Sequence, residues 1–109
     1  MNSNIVSLED KNIFVTGGSR GIGAAIVKQL SELGAKVAFT YSSQQAAAEA
    51  VLASLSGSGH KCYKLDVSQS FEVEAIGQQV LTDFGQIHGV VNNAGITKDQ
   101  LILRMKDED

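Results

Sequence analysis

A glycine-rich segment near the start of the chain, Thr-Gly-Gly-Ser-Arg-Gly-Ile-Gly at positions 16–23, constrains the fold most strongly. The apolar run 13–15 before it is typical of a short buried strand. A turn with few side chains lets the backbone approach a phosphate closely. The unpaired N–H groups and the dipole of a following helix favour an anion there. Apolar residues recur at helical spacing after the turn: Ile22, Ile26, Leu30 and Leu33.

The glycine spacing differs from the general dinucleotide fingerprint. That fingerprint is Gly-x-Gly-x-x-Gly, whereas here the glycines stand at Gly17, Gly21 and Gly23. On the motif alone, a tight strand-to-helix turn that binds no ligand remains an alternative.

The composition is that of an ordinary globular chain. Its 109 residues suffice for one domain, and 43% hydrophobic with 19% charged residues argue against a disordered chain. A net charge of −3 argues against nucleic-acid and anionic-membrane partners. No apolar run is long enough to span a bilayer, and the N-terminus lacks a secretion signal, so we expect a cytoplasmic protein.

Cysteine and histidine usage predicts no metal site. Cys62 is the only cysteine, which excludes an intrachain disulfide and a cysteine cluster. It lies in an alternating segment, where a small packed hydrophobe is favoured over a reactive thiol. His60 and His88 have no partner at ligand spacing, so both are interpreted as structural or exposed.

Apolar periodicity predicts alternating strands and helices. Strands are expected at 11–16, 37–39, 61–65 and 87–91, and helices at 21–33 and 44–55 and from about Ser68 to Phe84. The connections are too long for hairpins, which favours a parallel α/β sheet with helices on both faces. The second helix should bury Ala48, Val51, Leu52 and Leu55. The third should bury Val73, Ile76, Val80, Leu81 and Phe84.

The ends of the four predicted strands are Thr16-Gly17, Tyr41-Ser42, Asp66-Val67 and Asn92-Asn93. In a doubly wound sheet the ligand binds beyond the carboxyl ends of the strands. These pairs are therefore expected to meet at one edge and form a binding site.

Two motifs resemble those of the short-chain dehydrogenase/reductase family: Thr-Gly-x-x-x-Gly-Ile-Gly at 16–23 and Asn-Asn-Ala-Gly at 92–95, with Asp66-Val67 between them. The segments 95–99 and 103–107 look like those of the 3-oxoacyl-[acyl-carrier-protein] reductases, and acetoacetyl-CoA reductases are similar here. The resemblance begins at about Leu8. It implies a Rossmann-type sheet, here its N-terminal portion with four strands in the order 3-2-1-4.

The resemblance also implies an activity. It is the NADPH-dependent reduction of a 3-oxoacyl-acyl-carrier-protein thioester to the 3-hydroxyacyl product in fatty-acid synthesis, by an enzyme that is usually a homotetramer. The glycines would shape the turn under the pyrophosphate, and Asp66 would accept from the adenine amino group. The positions implied to bind the cofactor are Gly17, Ser19, Arg20, Gly21, Ile22, Gly23, Ser42, Asp66, Val67, Asn92, Asn93, Ala94 and Gly95.

Two of these positions have simpler interpretations. Asp66 could be an acid that ends a strand and caps the segment after it. Asn92 could satisfy backbone groups between strands, and both roles could coexist.

The residues near the second strand end favour NADP(H). Enzymes that use NAD carry an acid about twenty residues beyond the glycines, whereas Tyr41 stands here with no carboxylate nearby. A 2′-phosphate would be held by the fork of Arg20 and a hydrogen bond from Ser42. In the alternative, Ser42 caps the second helix in a capping box with Gln45, and Arg20 is merely solvated.

The Asn, Ser, Tyr and Lys that the resemblance implies for hydride transfer have no counterparts in this sequence. Tyr41 and Tyr63 do not lie in the Tyr-x-x-x-Lys spacing. We therefore expect 1–109 to be an NADP-binding domain truncated before the catalytic half and inactive alone. The strand 87–91 would then present an unpaired apolar edge. The alternatives are a catalytically silent NADP-binding module and a reductase of another carbonyl such as acetoacetyl-CoA.

Overall fold

The computed structural model describes residues 7–65, 70–93 and 102–105. Strands and helices alternate up to the fourth strand, as predicted, and most boundaries agree within two residues. No helix in these segments is long and apolar enough to cross a membrane. The elements are β1 (Asn12–Thr16), α1 (Gly21–Glu32), β2 (Lys36–Tyr41), α2 (Gln45–Ser54), β3 (Lys61–Lys64), α3 (Ser70–Phe84), β4 (Gly89–Asn92) and β5 (Ile102–Met105).

The sheet has the order β3-β2-β1-β4-β5, and its first four strands are parallel. Alternate strand residues pack on opposite faces. Val15 and Phe39 belong to the cluster formed with α1 and α2, whereas Phe14 and Ala38 pack against Val80 of α3. The predicted doubly wound sheet with strand order 3-2-1-4 is therefore confirmed.

The prediction of an unpaired edge at β4 is wrong. β5 pairs with β4 in antiparallel register, with Gly89 opposite Met105 and Asn92 opposite Ile102. Residues 93–101 connect the two strands, and this is shorter than the dozen or more residues that a parallel crossover requires. The chain must therefore reverse direction, and the backbone of β5 pairs with the edge of β4.

The apolar face of α1 predicted at Ile22, Ile26, Leu30 and Leu33 is buried only in part. The buried residues of α1 are Gly23, Val27 and Ser31, whereas Ile22 is 55% exposed. The small side chains at the centre of the contact let the helix lie close to the sheet, and Ile26 and Leu30 pack at its flanks.

The buried stripes of the other two helices are largely as predicted. Ala48 is fully buried in α2, and Val51, Leu52 and Leu55 pack against the same core. Val80, Ile76 and Phe84 pack on the other face, but Leu81 is 41% exposed and its predicted burial is wrong. Leu81 follows Val80 by one residue, and this 100° rotation turns it away from the sheet.

Both histidines have structural roles near the amino ends of the strands. His88 is buried, and its Nδ1 accepts the N–H of Asn12 at 2.9 Å. His60 Nδ1 accepts the N–H of Val37 at 3.0 Å, and its Nε2 lies 2.6 Å from Ser56 O. The interpretation of both as structural residues is confirmed.

A polar cluster joins β3 to α3 on the surface. The Tyr63 hydroxyl donates to Asp83 Oδ2 at 2.8 Å, Gln79 Nε2 donates to Asp83 Oδ1 at 3.0 Å, and Lys61 Nζ lies 3.9 Å from Asp83. The hydrogen bond from Tyr63 is the main cause that lowers the pKa of Asp83, with smaller contributions from Gln79 and Lys61. Burial, followed by the Asp83 contact, raises the pKa of Tyr63. Neighbouring Cys62 also has a raised pKa because of burial, which disfavours its thiolate.

Tyr63→Phe is expected to move the pKa of Asp83 up towards its ordinary value. Because the folded state lowers the pKa of Asp83, its carboxylate adds to the free energy of unfolding at pH values above its unfolded-state pKa. That contribution is lost as the pH falls through the folded-state pKa. An NMR titration of the Asp83 carboxyl measures the change. Lys61→Met is the control, with a smaller expected movement. An unchanged Asp83 midpoint in Tyr63→Phe would contradict the assignment.

Candidate functional site

A cleft of ≈ 440 Å³ opens at the carboxyl ends of the four parallel strands. It brings together six of the residues selected from the sequence, namely Gly17, Ser19, Arg20, Gly21, Ser42 and Asn93. It is also lined by Thr40, Tyr41 and Leu65.

The glycine turn requires glycine for two different reasons. Gly17 has a φ of 75°, which side chains rarely tolerate. Gly23 lies in the first turn of α1, where an added Cβ would stand 1.9 Å from Gly17 O and 2.7 Å from Asn93 Nδ2. The start of α1 therefore packs directly on the backbone of the turn.

Two neighbouring strands hold the turn in place by hydrogen bonds. Gly17 N–H donates to Thr40 Oγ1 at 2.8 Å, and Gly18 N–H donates to Thr40 O at 2.9 Å. Directly after β4, Asn93 Nδ2 donates to Gly17 O at 2.9 Å. Thr40 did not emerge from the sequence as a site residue. Its position at the end of a buried strand, beside Tyr41-Ser42, is the only signal that could have found it.

Thr16 connects β1 to the end of β4. Its hydroxyl donates to Asn92 Oδ1 at 3.1 Å and accepts the N–H of Asn93 at 3.1 Å. The described contact of the Asn92 side chain is therefore to a side-chain hydroxyl, whereas the sequence suggested backbone groups. The Thr16 hydroxyl therefore holds the carboxyl ends of β1 and β4 together beside the cleft.

The charge of the described cleft lining is positive. Among the described residues that line it, Arg20 alone has a charged side chain. Arg20 is also the N-cap of α1, in extended conformation and without a side-chain capping bond, and the first turn contains no acid. Ala24 N–H donates to Arg20 O, so the N–H groups at 21–23 precede the first helical bond. The helix dipole adds to the field of the guanidinium.

The alternative in which Ser42 caps the second helix is wrong. The N-cap of α2 is Gln44, which makes no side-chain capping bond, and Gln45 Nε2 donates to Glu49 at 3.0 Å. Ser42 is exposed and lines the cleft instead. Ser42 and Arg20 therefore line the same cleft.

The remaining predicted residues lie beside the cleft or outside the described residues. Gly23 packs against the backbone of Gly17, and Asn92 accepts a hydrogen bond from Thr16 next to the cleft. Ile22 is exposed on the first turn of α1. Leu65 is buried and lines the cleft directly before Asp66. Four positions lie outside the described residues: Asp66, Val67, Ala94 and Gly95.

Comparison with known sequences shows the family. A family model described as short chain dehydrogenase matches residues 11–109. The chain is 40% identical over 102 residues to the 3-oxoacyl-[acyl-carrier-protein] reductase of Staphylococcus epidermidis, covering 92% of this chain and 42% of that protein. The Haemophilus influenzae reductase of the same name is 45% identical over 102 residues, covering 94% of this chain and 41% of that protein. The chain thus spans about two fifths of the length of these relatives.

Solved structures agree with this assignment. A short-chain dehydrogenase/reductase from Serratia marcescens superposes with a TM-score of 0.78 at 43% identity, covering 82% of this chain and 37% of that one. A short chain dehydrogenase from Burkholderia cenocepacia, solved in complex with NADP, superposes with a TM-score of 0.75 at 38% identity. The match covers 84% of this chain and 38% of that one. A blue fluorescent protein from a metagenomic library, in complex with NADPH, superposes with a TM-score of 0.73 at 37% identity. The match covers 83% of this chain and 38% of that one. Fold, motifs and relatives agree, and the chain belongs to the short-chain dehydrogenase/reductase family.

Proposed function

We propose that residues 1–109 form the NADP(H)-binding domain of a reductase that converts 3-oxoacyl-[acyl-carrier-protein] to the 3-hydroxyacyl product. The observation that carries the proposal is the cleft at the carboxyl strand ends, whose one charged side chain among the described lining residues is Arg20. The cofactor would supply the hydride, and this chain's own residues would bind and orient it.

The glycine turn would hold the pyrophosphate. Gly17 and Gly21 line the cleft with Ser19, and Gly23 lets the start of α1 approach the turn. The N–H groups of the first helical turn would donate to the phosphate oxygens. Exposed Ile22 would cover one side of the bound group.

The carboxyl end of β2 would border the adenosine and its 2′-phosphate. Arg20 of the glycine turn and Ser42 after β2 line the same cleft, and a guanidinium with a hydroxyl suits a phosphate. Tyr41 occupies the strand end at which NAD enzymes carry an acid. The Burkholderia cenocepacia and metagenomic structures, solved with NADP and NADPH, support this choice.

The other predicted residues would complete the site on both sides. Asp66 and Val67 would contact the adenine, next to Leu65 of the cleft wall. Asn92, Asn93, Ala94 and Gly95 would border the ribose and nicotinamide. Asn93 is the member of this group that reaches the cleft among the described residues.

Arg20→Ala is expected to weaken NADPH binding about 10- to 100-fold, because a hydrogen bond to a charged group contributes about 1.5–3 kcal/mol. NADH has no 2′-phosphate, so its affinity should change less than about threefold. Fluorescence titration of both cofactors measures the ratio. Lys28→Ala is the control because it removes an exposed basic residue from the same helix outside the cleft. An equal loss for NADPH and NADH would contradict a 2′-phosphate contact.

The substrate is proposed from the names of the relatives in Staphylococcus epidermidis and Haemophilus influenzae. In the reaction, hydride adds to the C3 carbonyl carbon of the thioester and a proton adds to its oxygen. The test is NADPH oxidation by the gene product that contains this chain, with 3-oxoacyl-acyl-carrier protein and acetoacetyl-CoA as competing substrates. A higher kcat/KM for the carrier-protein thioester is expected. Turnover of neither substrate would contradict the proposal, and a preference for acetoacetyl-CoA would replace the carrier-protein assignment.

The oligomeric state of that gene product is part of the same proposal. We propose a homotetramer, as the family resemblance implies. Light scattering of the NADPH-bound protein measures its mass, and a monomeric mass would contradict this part.

A further inference from the structure

Thr40 contacts the glycine turn through both its side chain and its backbone. Its Oγ1 accepts Gly17 N–H at 2.8 Å and its carbonyl accepts Gly18 N–H at 2.9 Å. The residue is 1% exposed, so water does not compete for these bonds. One residue of β2 therefore accepts both N–H groups that follow β1.

These bonds decide which N–H groups of the turn can face a ligand. Gly17 N–H is already paired with Thr40, and Gly17 O accepts from Asn93 Nδ2 on the other side. The backbone of Gly17 is thus held through its N–H by Thr40 of β2 and through its carbonyl by Asn93, directly after β4. The donors left for an anion are those at the start of α1, which precede the first helical bond at Ala24.

Thr40 also links the glycine turn to the carboxyl end of β2. The next two residues, Tyr41 and Ser42, line the same cleft as the turn. The buried residue that bonds the turn therefore directly precedes the residues proposed to border the 2′-phosphate. A valine of similar shape would fill the space but could not accept the Gly17 N–H.

We propose that Thr40 is a positioning residue that aligns the pyrophosphate-binding turn with the 2′-phosphate end of the cleft, an inference that rests on the proposed NADP(H) function. Its hydroxyl holds Gly17 so that the donors of α1 point at the pyrophosphate. The hydroxyl itself does not touch the cofactor. Its removal should therefore affect ligands that contain a pyrophosphate and spare those that do not.

The test compares Thr40→Val and Thr40→Ser in the 109-residue chain. Two ligands are titrated: NADPH, and adenosine 2′-monophosphate, which has the 2′-phosphate but no pyrophosphate. Thr40→Val should weaken the binding of NADPH about tenfold, since the Gly17 N–H loses the acceptor that holds the turn. The binding of adenosine 2′-monophosphate should weaken less than about twofold. Thr40→Ser keeps the hydroxyl and should restore NADPH binding to within about threefold of the parent chain.

The outcomes separate this inference from the proposed function. If the parent chain fails to bind NADPH, the proposed function is contradicted and the Thr40 role with it. If the parent binds NADPH and Thr40→Val binds it as tightly, the positioning role alone is contradicted. An equal loss for both ligands in Thr40→Val would show a general structural role and would also overturn it.

Amide exchange in the unsubstituted chain gives a second test that does not depend on the folding of Thr40→Val. Gly17 N–H should be protected before NADPH is added and should stay so, because Thr40 already accepts it. The amide of Ile22 should become protected only with NADPH. Protection of Gly17 that appears only with NADPH would show that this group faces the ligand, and would overturn the inference.

Discussion

Gly23→Ala is expected to destabilise the fold by about 3 kcal/mol and to abolish NADPH binding, because overpacking against fixed backbone is costly. The new methyl would stand 1.9 Å from Gly17 O and 2.7 Å from Asn93 Nδ2. The Gly17 peptide cannot yield freely, since Thr40 and Asn93 bond both of its ends. Either α1 must move off the turn or the turn must open, and both changes separate the phosphate donors.

Thermal unfolding with and without NADPH measures both effects of Gly23→Ala. A fall in Tm of roughly 15 °C and no shift with NADPH are expected. Gly77→Ala is the control because Gly77 also lies within a helix but has nothing within 4 Å of an added Cβ. It should be neutral or slightly stabilising. A Gly23→Ala chain with the parent's Tm and NADPH shift would contradict the close approach of α1 to the turn.

Phe39→Ala is expected to cost about 3–5 kcal/mol, the range for removing a fully buried phenylalanine. Phe39 is 0% exposed, lies at the centre of the core formed by the sheet with α1 and α2, and reaches within 2.7 Å of a Cβ built on Gly18. The substitution leaves a cavity directly beneath the glycine turn. It should therefore reduce NADPH binding as well as stability.

Urea unfolding of Phe39→Ala and Leu81→Ala measures this cost. Leu81 is also a large apolar residue but is 41% exposed, so its truncation should change stability by less than about 1 kcal/mol. Comparable losses in the two variants would contradict the assignment of Phe39 to the core.

The order of strands and helices could be predicted because it depends on local hydrophobic periodicity. The short apolar run at Val37-Ala38-Phe39 and the glycine at Gly34 marked β2 and the end of α1 without any knowledge of distant contacts. The pairing of β5 with β4 could not be predicted in this way. It depends on which free edge the segment 102–105 meets, and this is a tertiary property.

The burial of α1 shows the same limit. Ile22 and Val27 are both apolar, and periodicity favoured the face that contains Ile22. The structure buries Gly23, Val27 and Ser31 instead, and at Gly23 the close approach to the turn leaves no room for a side chain. Hydrophobicity alone does not reveal how near two backbones come.

The candidate site was predictable where its residues act through backbone geometry or charge. Gly17, Arg20 and Ser42 follow from the turn and the strand ends, and they line one cleft. Thr40 was missed because a threonine in a buried strand has the same sequence signature whether its hydroxyl is structural or supports a ligand site. Only the distance to Gly17 N–H distinguishes the two roles.

The central claim is tested most directly by the thermal unfolding of the 109-residue chain in the presence of NADPH and of NADH. A ligand at a hundred times its Kd adds about 2.7 kcal/mol to stability, which corresponds to a Tm increase of roughly 10 °C in a chain of this size. We predict one cooperative transition that NADPH raises by this amount and that NADH at the same concentration raises much less. No shift with either cofactor, or an equal shift with both, would contradict the assignment of Arg20 and Ser42 to a 2′-phosphate.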